Sequence, residues 1–338
     1  MIVRENYPLK NLNTFHIDAL AKYFVEVASN EEILEVLDES KFASDAKLIL
    51  GGGSNLLFTK DYPGLVIKNN LKGISLEKET EEFYFVKAGA GEIWHDVVMH
   101  CIDNNYAGLE NLSLIPGNAG ASPMQNIGAY GAEVKDSFFE LEALHINEKT
   151  LRRFTNEECK FGYRESVFKH EFKNQYIITS VTFKLNKKPK FNISYGAIEK
   201  ELEQMGIKDL SIRAISNAVC AIRNSKLPNP AVIGNAGSFF KNPEITESVF
   251  KNLKNEFAGI VGYELENGNV KLAAGWLIEQ CGWKGKSFGD AGVHKLQALV
   301  LVNYANAKGS EIFDLSQKIM DSVKAKFGVG LEREVNII

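Results

Sequence analysis

Cysteine is scarce in this chain, and the few residues lie far apart. The four are Cys101, Cys159, Cys220 and Cys281, and no two of them form a C-x-x-C pair. The six histidines are scattered as well. This distribution argues against a zinc site of the usual spacing and predicts reduced thiols, as in proteins of the cytoplasm. We therefore expect no metal centre.

Long apolar runs and an excess of one charge are also missing. The formal net charge is -4, which gives no reason to expect a nucleic acid or an anionic membrane surface as partner. The longest apolar run, around residues 298–302, is far too short to span a bilayer and predicts a buried strand. Residues 1–8 contain no apolar core of a signal peptide. We expect a cytoplasmic monomer that binds neither nucleic acid nor membrane.

The length of 338 residues exceeds what one hydrophobic core usually serves, so two or three domains are expected. A strand at 23–28, a helix that begins at Ser29 with Glu32 in the capping-box position, and a strand at 47–50 indicate a small α/β unit. Near residue 221 the composition shifts toward Pro and Asn. We place three segments, at 1–70, 71–221 and 222–338, with the last few residues packing back on the first segment.

Three consecutive glycines follow the predicted strand at 47–50, in the sequence Gly51-Gly52-Gly53-Ser54-Asn55. Glycines in this position let the backbone adopt positive φ and expose several N–H groups, which suits a pyrophosphate. The spacing differs from G-x-G-x-x-G and no Walker lysine follows, so neither a Rossmann fingerprint nor a P-loop is indicated. An ordinary structural turn is the alternative.

A second stretch rich in small residues runs from Ser113 to Gly131, and a few apolar residues interrupt it. A flexible linker would need no such residues, whereas ordered loops of this length are usually functional. We predict a loop that cradles a large flat ligand, with the amides of Gln125 and Asn126 offering hydrogen bonds. The linker remains the alternative.

Two further stretches combine polar groups in a way that a plain core strand does not need. In Gly234-Asn235-Ala236-Gly237-Ser238-Phe239-Phe240-Lys241-Asn242-Pro243, a hydroxyl, a cation and an amide suit a site that holds an anion and delivers a proton. A glycine-rich turn between core strands is the alternative. In Tyr163-Arg164-Glu165-Ser166, the arginine suits a cavity, and a surface Arg–Glu pair is the alternative.

The last third of the chain gives three local predictions. Residues 271–282 have the pattern of a helix that Gly282 closes. A second helix is expected to start at a capping Ser310 and to run through Phe327. Residues 330–338 are predicted to form a strand with two carboxylates on one face.

Taken together, these motifs resemble the MurB family, the UDP-N-acetylenolpyruvoylglucosamine reductases, over nearly the whole chain. Members of this family are flavoenzymes that make UDP-N-acetylmuramate for bacterial peptidoglycan. The motifs that carry the resemblance are Gly51-Gly52-Gly53-Ser54-Asn55, Ile115-Pro116-Gly117, Pro123-Met124-Gln125-Asn126-Ile127-Gly128-Ala129-Tyr130-Gly131, Tyr163-Arg164-Glu165-Ser166, Ser225-Lys226-Leu227-Pro228, the Gly234 to Pro243 stretch, Ala274-Gly275-Trp276-Leu277-Ile278 and Leu331-Glu332-Arg333-Glu334-Val335.

The resemblance implies an α+β fold with a two-part FAD-binding region, of the type found in p-cresol methylhydroxylase and vanillyl-alcohol oxidase (PCMH/vanillyl-alcohol-oxidase type). A C-terminal α+β domain would bind the substrate. It also implies noncovalent FAD, NADPH as co-substrate and reduction of UDP-N-acetylglucosamine enolpyruvate, the activity of a UDP-N-acetylmuramate dehydrogenase. Tyr263 matches the tyrosine that caps the substrate in members with an extra loop, which implies the type I form.

The resemblance assigns roles to individual residues. The catalytic positions that it implies are Arg164, Ser238 and Glu334. The implied cofactor positions are Gly51, Gly52, Gly53, Ser54, Asn55, Ser113, Ile115, Pro116, Gly117, Gly120, Ala121, Gln125, Ile127 and Gly128. The implied substrate positions are Tyr163, Tyr195, Arg223, Lys226, Asn242, Tyr263 and Gln280.

Two other functions are compatible with parts of the sequence. One is a different flavin oxidoreductase of the same superfamily, such as a sugar-alcohol or lactone oxidase. Those enzymes often hold flavin through a covalent His or Cys, and the nearest candidate, His16, has no such motif around it. The other is a nucleotide-binding module without catalytic activity.

Overall fold

A computed structural model describes residues 2–338, and within them it contains seven α-helices and twenty β-strands. The helices are α1 (Asn30–Asp38), α2 (Trp94–Asp103), α3 (Gly196–Gln204), α4 (Ile212–Lys226), α5 (Glu247–Glu256), α6 (Ala274–Gln280) and α7 (Gly309–Phe327). The strands are β1 (Arg4–Pro8), β2 (Leu20–Val27), β3 (Lys47–Leu50), β4 (Leu56–Leu57), β5 (Tyr62–Asn69), β6 (Ile74–Glu79), β7 (Phe83–Gly89), β8 (Gly128–Ala129), β9 (Ala132–Glu133), β10 (Phe138–His145), β11 (Leu151–Thr155), β12 (Tyr176–Asn186), β13 (Gly234–Ser238), β14 (Glu244–Thr246), β15 (Gly262–Glu264), β16 (Asn269–Leu272), β17 (Ser287–Phe288), β18 (Ala291–Val293), β19 (Val300–Asn303) and β20 (Asn336–Ile337).

The chain divides into two compact units. The first comprises residues 2–7, Ala21–Gly52 and Pro63–Ser225, and the second comprises Pro8–Leu20, Gly53–Tyr62 and Lys226–Ile338. The boundary expected at 221/222 falls inside helix α4, and the units part at the end of that helix instead. The finer division into three segments stays a prediction.

The first sheet of unit one has the strand order β1-β2-β5-β3 and is covered by α1. The predicted helix start is confirmed, because Ser29 Oγ accepts the N–H of Glu32 at 3.2 Å. The Glu32 carboxylate reaches back to the N–H of Ala28 at 2.6 Å. Ile33 and Val36 on the inner face of the helix are fully buried, so the apolar stripe fixes α1 on the sheet.

The second sheet of unit one is antiparallel, with the order β11-β10-β12-β7-β6. Its central strand β12 is buried at nearly every position, although alternating burial is the usual pattern of such strands. On one face it packs against Trp94 and Val97 of α2. Ile177, near the start of β12, joins the core of the first sheet. Both faces of β12 are therefore covered.

The sheet of unit two has the order β13-β19-β18-β17, and α7 packs against β18 and β19. The helix expected at 271–282 begins only at Ala274, because the residues before it form β16 in a small sheet of order β14-β16-β15. Gly282, with φ of 76°, ends it as predicted. Helix α7 begins at Gly309, so Ser310 lies in the first turn and is not the cap.

The terminal strand is shorter than expected. Only β20 is a strand, and it pairs in parallel with β4. Before it, residues 331–335 run beside the end of β13, where Arg333 forms an isolated bridge with Phe240. The N–H of Glu334 donates to the carbonyl of Phe239 at 2.8 Å. This segment therefore follows β13 without the regular ladder of a full strand.

Candidate active site

The glycine loop and the Ser113–Gly131 loop meet in unit one. A Cβ built on Gly52 would lie 2.8 Å from the Cα of Gly117 and 2.7 Å from Oδ1 of Asn118. Asn118 is itself anchored, since its Nδ2 donates to the carbonyl of Gly91 at 2.5 Å. Two stretches that the sequence analysis assigned to one ligand thus form a single surface. Gly52 is required there by the packing of the protein itself.

The rest of the glycine loop, from Gly53 onward, lies in unit two. Gly53 has φ of 64°, and its carbonyl accepts the N–H of Thr14 at 3.1 Å. A Cβ on Gly53 would also collide with the backbone of Asn13, at 2.9 Å from its Cα. The carbonyl of Asn55 accepts the N–H of Asn336 at 3.1 Å, and the side chain of Asn55 donates to the carbonyl of Glu334 at 3.3 Å. The backbone geometry therefore explains the conformation of Gly53 without a ligand.

Hydrogen bonds hold the Ser113–Gly131 loop in place, so the linker interpretation is wrong. The hydroxyl of Ser113 donates to the carbonyl of Glu110 at 2.7 Å and lies 2.8 Å from Oγ of Ser216. The N–H of Leu114 donates to Nδ1 of His95 at 3.0 Å. Ser113 has no exposed surface, so any contribution of this residue to a cofactor site is to support the loop.

The side-chain amide of Asn126 forms its hydrogen bonds within the protein, contrary to the expectation that it offers them to a ligand. Asn126 is completely buried, with φ of 43°. Its Nδ2 donates to the carbonyl of Gly162 at 2.9 Å and to the Glu133 carboxylate at 3.0 Å, while its Oδ1 accepts the N–H of Lys135 at 3.1 Å. It ties the loop to the turn that carries Arg164.

Arg164 is held by the end of the same loop. Its Nη2 donates to the carbonyl of Gly128 at 2.6 Å, and its guanidinium lies 5.3 Å from the ring centre of Tyr163. A Cβ on Gly128 would be 2.9 Å from Nη1 of Arg164, so the glycine makes room for the guanidinium. Arg164 has φ of 58°, a conformation that costs a non-glycine residue roughly 1 kcal/mol or more. Such strain is typical of functional positions.

A polar row on α4 faces the Ser113–Gly131 loop. Ser216, Cys220 and Arg223 are spaced by four and three residues and so share one face of the helix. The guanidinium of Arg223 lies beside the phenol of Tyr130, whose ring meets that of Tyr195 edge to face at 5.5 Å. Burial lowers the pKa of Arg223, and its buried Nε has no hydrogen-bond partner among residues 2–338. The fold thus brings together two predicted substrate residues, Tyr195 and Arg223.

In unit two, Ser238 and Glu334 lie on adjacent backbone segments. Ser238 pairs with Val300 at the end of β13, and it is exposed between Gly237 and the fully buried Phe239. Glu334 is bonded to Phe239 through its N–H, as described above. The serine and the glutamate, 96 positions apart along the chain, are therefore neighbours in this unit.

The polar residues that follow Ser238 are bound to the fold. Lys241 is only 8 % exposed, and its Nζ lies 2.6 Å from a carboxylate oxygen of Glu332. Oδ1 of Asn242 accepts the N–H of Ala274 at 3.0 Å and so caps helix α6. This capping bond explains why an amide stands at 242 in the fold, and it leaves the NH₂ group of Asn242 for a ligand.

The remaining predicted substrate residues are spread over unit two. Lys226 is exposed at the end of α4, and Tyr263 is exposed on β15, where it pairs with Lys271. Gln280 lies at the C-terminal end of α6, roughly 9 Å along the helix axis from the end that Asn242 caps. The carbonyl of Gln280 accepts a hydrogen bond from Nζ of Lys326 on α7 at 2.6 Å.

A different glutamine, Gln297, contacts the segment that pairs with Ser238, and it was not predicted from the sequence. Oε1 of Gln297 accepts the N–H of Leu299 at 3.3 Å, and the carbonyl of Leu299 accepts the N–H of Phe239 at 2.8 Å. Gln297 also lies 3.2 Å from the position of a Cβ on Gly275. Its place just before the apolar strand β19 was the available signal, because polar residues at strand ends often line sites.

Residues 21–152 match the model of an FAD binding domain, and residues 229–338 match the model of the UDP-N-acetylenolpyruvoylglucosamine reductase C-terminal domain. A curated protein named UDP-N-acetylenolpyruvoylglucosamine reductase from Flavobacterium johnsoniae is 53% identical over 339 residues, covering 100% of both chains. The chain belongs to the UDP-N-acetylenolpyruvoylglucosamine reductase family, MurB.

A second relative supports this assignment, and a solved structure shows the same fold. The protein of that name from Amoebophilus asiaticus is 50% identical over 338 residues, again covering 100% of both chains. The crystal structure of MurB from Thermus caldophilus matches with a TM-score of 0.70 at 24% identity, and 99% of each chain is covered. The MurB resemblance and the predicted fold class, an FAD-binding region followed by a C-terminal domain, are confirmed. A different flavin oxidoreductase and a non-catalytic module are both excluded by these matches.

FAD is the cofactor of this family, and the first unit has features that fit it. The N–H of Gly52 donates to no group within residues 2–338, and it lies where the two loops of small residues meet. Backbone N–H groups in such a turn bind phosphate oxygens. In the described part of the chain, no group of His, Cys, Asp and Glu is arranged to hold a metal ion. None of the helices between residues 2 and 338 is long and apolar enough to cross a membrane.

Proposed function

We propose that this protein reduces UDP-N-acetylglucosamine enolpyruvate to UDP-N-acetylmuramate with electrons from NADPH, as a cytoplasmic step of peptidoglycan precursor synthesis. The observation that carries the proposal is the full-length similarity to a protein named for this reductase activity. Two features of the fold support it: Arg164 has an unfavourable φ of 58°, and Ser238 is exposed on a segment adjacent to that of Glu334.

The first task is to bind the carboxylate of the enolpyruvyl group. During reduction, negative charge builds on the carbon next to this carboxylate and spreads into it, so a fixed cation stabilises the transition state. Arg164 suits this task because its planar guanidinium can bind a carboxylate through two parallel hydrogen bonds. The contact of Arg164 with Gly128, and its unfavourable φ, support a guanidinium that is fixed in advance.

The second task is to deliver a proton to the carbon that gains negative charge. FAD, when bound, supplies the hydride that completes the reduction of the double bond. Ser238 is the proposed proton donor, since it is exposed at the end of β13. Glu334, on the adjacent segment, is proposed to act with it as a hydrogen-bonding partner of the substrate.

The third task is to hold the nucleotide diphosphate, which requires cations and phenols. Arg223 and Tyr195 in the first unit are suited to it. The buried Nε of Arg223 has no hydrogen-bond partner among residues 2–338, which supports the binding of an acceptor such as a phosphate oxygen there. Lys226, Asn242 and Tyr263 stay predictions from the family resemblance. Gln280 stays a prediction from the family resemblance, and the location of Gln297 makes it the better candidate for a contact near Ser238.

The decisive experiment follows the visible spectrum of the purified protein under anaerobic conditions. We expect flavin absorbance that NADPH bleaches and that UDP-N-acetylglucosamine enolpyruvate restores, with a product two hydrogen atoms heavier than the substrate. UDP-N-acetylglucosamine, which lacks the enolpyruvyl group, is the matched control and should leave the reduced spectrum unchanged. Equal recovery with the two sugar nucleotides, or none with either, would contradict the proposed reaction.

A further inference from the structure

Lys68 binds the backbone of the glycine loop from the neighbouring strand. It stands on β5 opposite Leu50, the last residue before the glycines. Its Nζ donates to the carbonyl of Gly51 at 2.5 Å. Within residues 2–338, no carboxylate oxygen lies within 4.0 Å of this ammonium group. Lys68 is therefore a half-buried cation that is bonded to a backbone carbonyl.

The surroundings of Lys68 do not favour a charge. Burial lowers the pKa of Lys68, Lys72 lowers it further, and Glu26 on β2 opposes this shift. Glu26 is exposed and interacts with Arg4 at 3.7 Å and with Asn70 at 3.2 Å. Placing an ammonium group in such a position costs free energy, and an apolar residue would fill this place in the strand more cheaply. The position of the lysine therefore calls for an explanation other than stability.

The peptide that joins Gly51 and Gly52 explains the position of Lys68. The residues described contain no cis peptide bond, so the carbonyl of Gly51 and the N–H of Gly52 point in opposite directions. When Lys68 binds the carbonyl on its side, it turns the N–H of Gly52 to the other side. A charged donor on the carbonyl also polarises the peptide and makes that N–H a stronger donor.

We propose that Lys68 is a positioning residue for FAD: by binding the carbonyl of Gly51 it fixes the Gly51–Gly52 peptide so that the N–H of Gly52 donates to the diphosphate. Lys68 acts through the peptide and does not itself touch the phosphate. This inference rests on the proposed function, in which FAD binds at the glycine loop. It assigns a role to a strand residue outside every motif that the sequence analysis singled out.

The test compares the binding of FAD and of riboflavin, which lacks the diphosphate, to the apoprotein by fluorescence quenching. Lys68→Met should weaken FAD binding about 10- to 100-fold, the range for a lost hydrogen bond to a charged group, and leave riboflavin binding unchanged. Lys68→Arg should restore most of the FAD affinity. Lys47→Met is the matched control, because Lys47 on β3 also donates to a backbone carbonyl, that of Phe42 at 2.7 Å, which is not part of the glycine loop.

The outcomes separate the inference from the function on which it rests. Failure of the unaltered protein to bind FAD would remove the proposed function itself. Normal FAD binding by Lys68→Met, or an equal loss of FAD and riboflavin, would overturn the role of Lys68 alone. Should Lys68→Met not fold, Lys68→Gln is compared in the same way, since it keeps a donor without the charge. The amide resonance of Gly52 gives an independent readout, and we expect Lys68→Met to shift it in the apoprotein.

Discussion

Gly52 lies so close to Gly117 that a Cβ on Gly52 would stand 2.8 Å from the Cα of Gly117. This contact joins two loops that are far apart in the sequence and makes them one surface. It also changes how a substitution in the glycine loop must be interpreted. Loss of cofactor after a change at Gly52 would report damage to the contact between the loops, whether or not a ligand passes over it.

Gly51 offers a cleaner test of close approach by FAD. A Cβ on Gly51 would meet nothing nearer than 3.6 Å, and its φ is not in the left-handed region. Gly51→Ala should therefore fold normally, with a gain of about 0.4–1 kcal/mol from reduced freedom of the unfolded chain. If the backbone of Gly51 touches FAD, the added methyl group should still weaken FAD binding about tenfold or more. Thermal unfolding of the apoprotein and an FAD titration measure the two effects.

Gly52→Ala is the matched comparison for this prediction. It should lower both the unfolding temperature and the FAD affinity, because its methyl group collides with Gly117 and Asn118. Unchanged FAD affinity in Gly51→Ala would show that the cofactor does not approach this backbone closely.

The second prediction concerns pH and His95. Its Nδ1 accepts the N–H of Leu114, so the folded state needs this nitrogen unprotonated. Burial lowers the pKa of His95, Asp96 opposes the shift and Arg223 adds to it. The unfolded chain, with a pKa near 6.5, therefore takes up the proton first. The free energy of unfolding should fall as the pH drops below about 6.5, by at most about 1.4 kcal/mol per unit.

His95→Asn isolates this contribution, because the asparagine oxygen can replace Nδ1 as acceptor and does not titrate. Urea unfolding at pH 7.5, 6.5 and 5.5 should show a smaller acid loss of stability in the variant than in the unaltered protein. His294, whose pKa is also lowered by burial, is present in both proteins and cancels in the comparison. Parallel pH profiles for the two proteins would refute the role of His95.

Elements with a strong local signal could be predicted from the sequence. Helix α1 has Ser29 and Glu32 at its start, and strand β3 and the fully buried strand β19 are short, mainly apolar runs. Strand β1 escaped notice, because it is an exposed edge strand without apolar alternation. Helix α6 was predicted three residues too early for a different reason. Lys271 pairs with Glu244 of β14 and with Tyr263 of β15, and sequence periodicity does not reveal such pairing.

In the candidate site, too, some features could be predicted from the sequence and others could not. The small-residue loops stood out by composition, but their contact at Gly52 and Gly117 depends on tertiary structure. Lys68 carried no signal at all, since a lysine in a strand is most often an exposed residue. The hydrogen-bond partners of a side-chain amide could not be predicted either. The NH₂ group of Asn126 donates to Glu133 and Gly162, and no pattern in the sequence distinguishes it from a ligand-binding amide.

The third prediction separates the two carboxylates near the C-terminus. Glu332 is 70% exposed and pairs with Lys241, whereas Glu334 lies beside Phe239 and Ser238. Glu334→Gln should slow oxidation by the enolpyruvyl substrate by about 100-fold or more, as expected for a lost catalytic proton or hydrogen bond. Glu332→Gln, the matched control, should change this rate less than about fivefold. Equal effects of the two substitutions would show that Glu334 has no special part in the chemistry.

The last prediction concerns Ser238, whose proposed task lies only in the second half-reaction, after NADPH has acted. The hydroxyl is exposed and no hydrogen bond to it is seen within residues 2–338, while the backbone pairs with Val300. Ser238→Ala should therefore change stability by no more than about 0.5 kcal/mol and leave FAD binding intact. Reduction by NADPH should proceed at nearly the native rate. Oxidation by the enolpyruvyl substrate should be slowed about 10²- to 10⁴-fold, the range for a lost general acid.

Stopped-flow absorbance resolves the two half-reactions of Ser238→Ala in one instrument. Ser238→Cys is the companion variant, and it should retain part of the second half-reaction because a thiol can also donate a proton. Equal slowing of both halves would mean that Ser238 shapes the site and does not protonate the substrate. An unchanged second half would remove Ser238 from the catalytic residues, and the proton would then have to come from another group, with Glu334 on the adjacent segment the first to be examined.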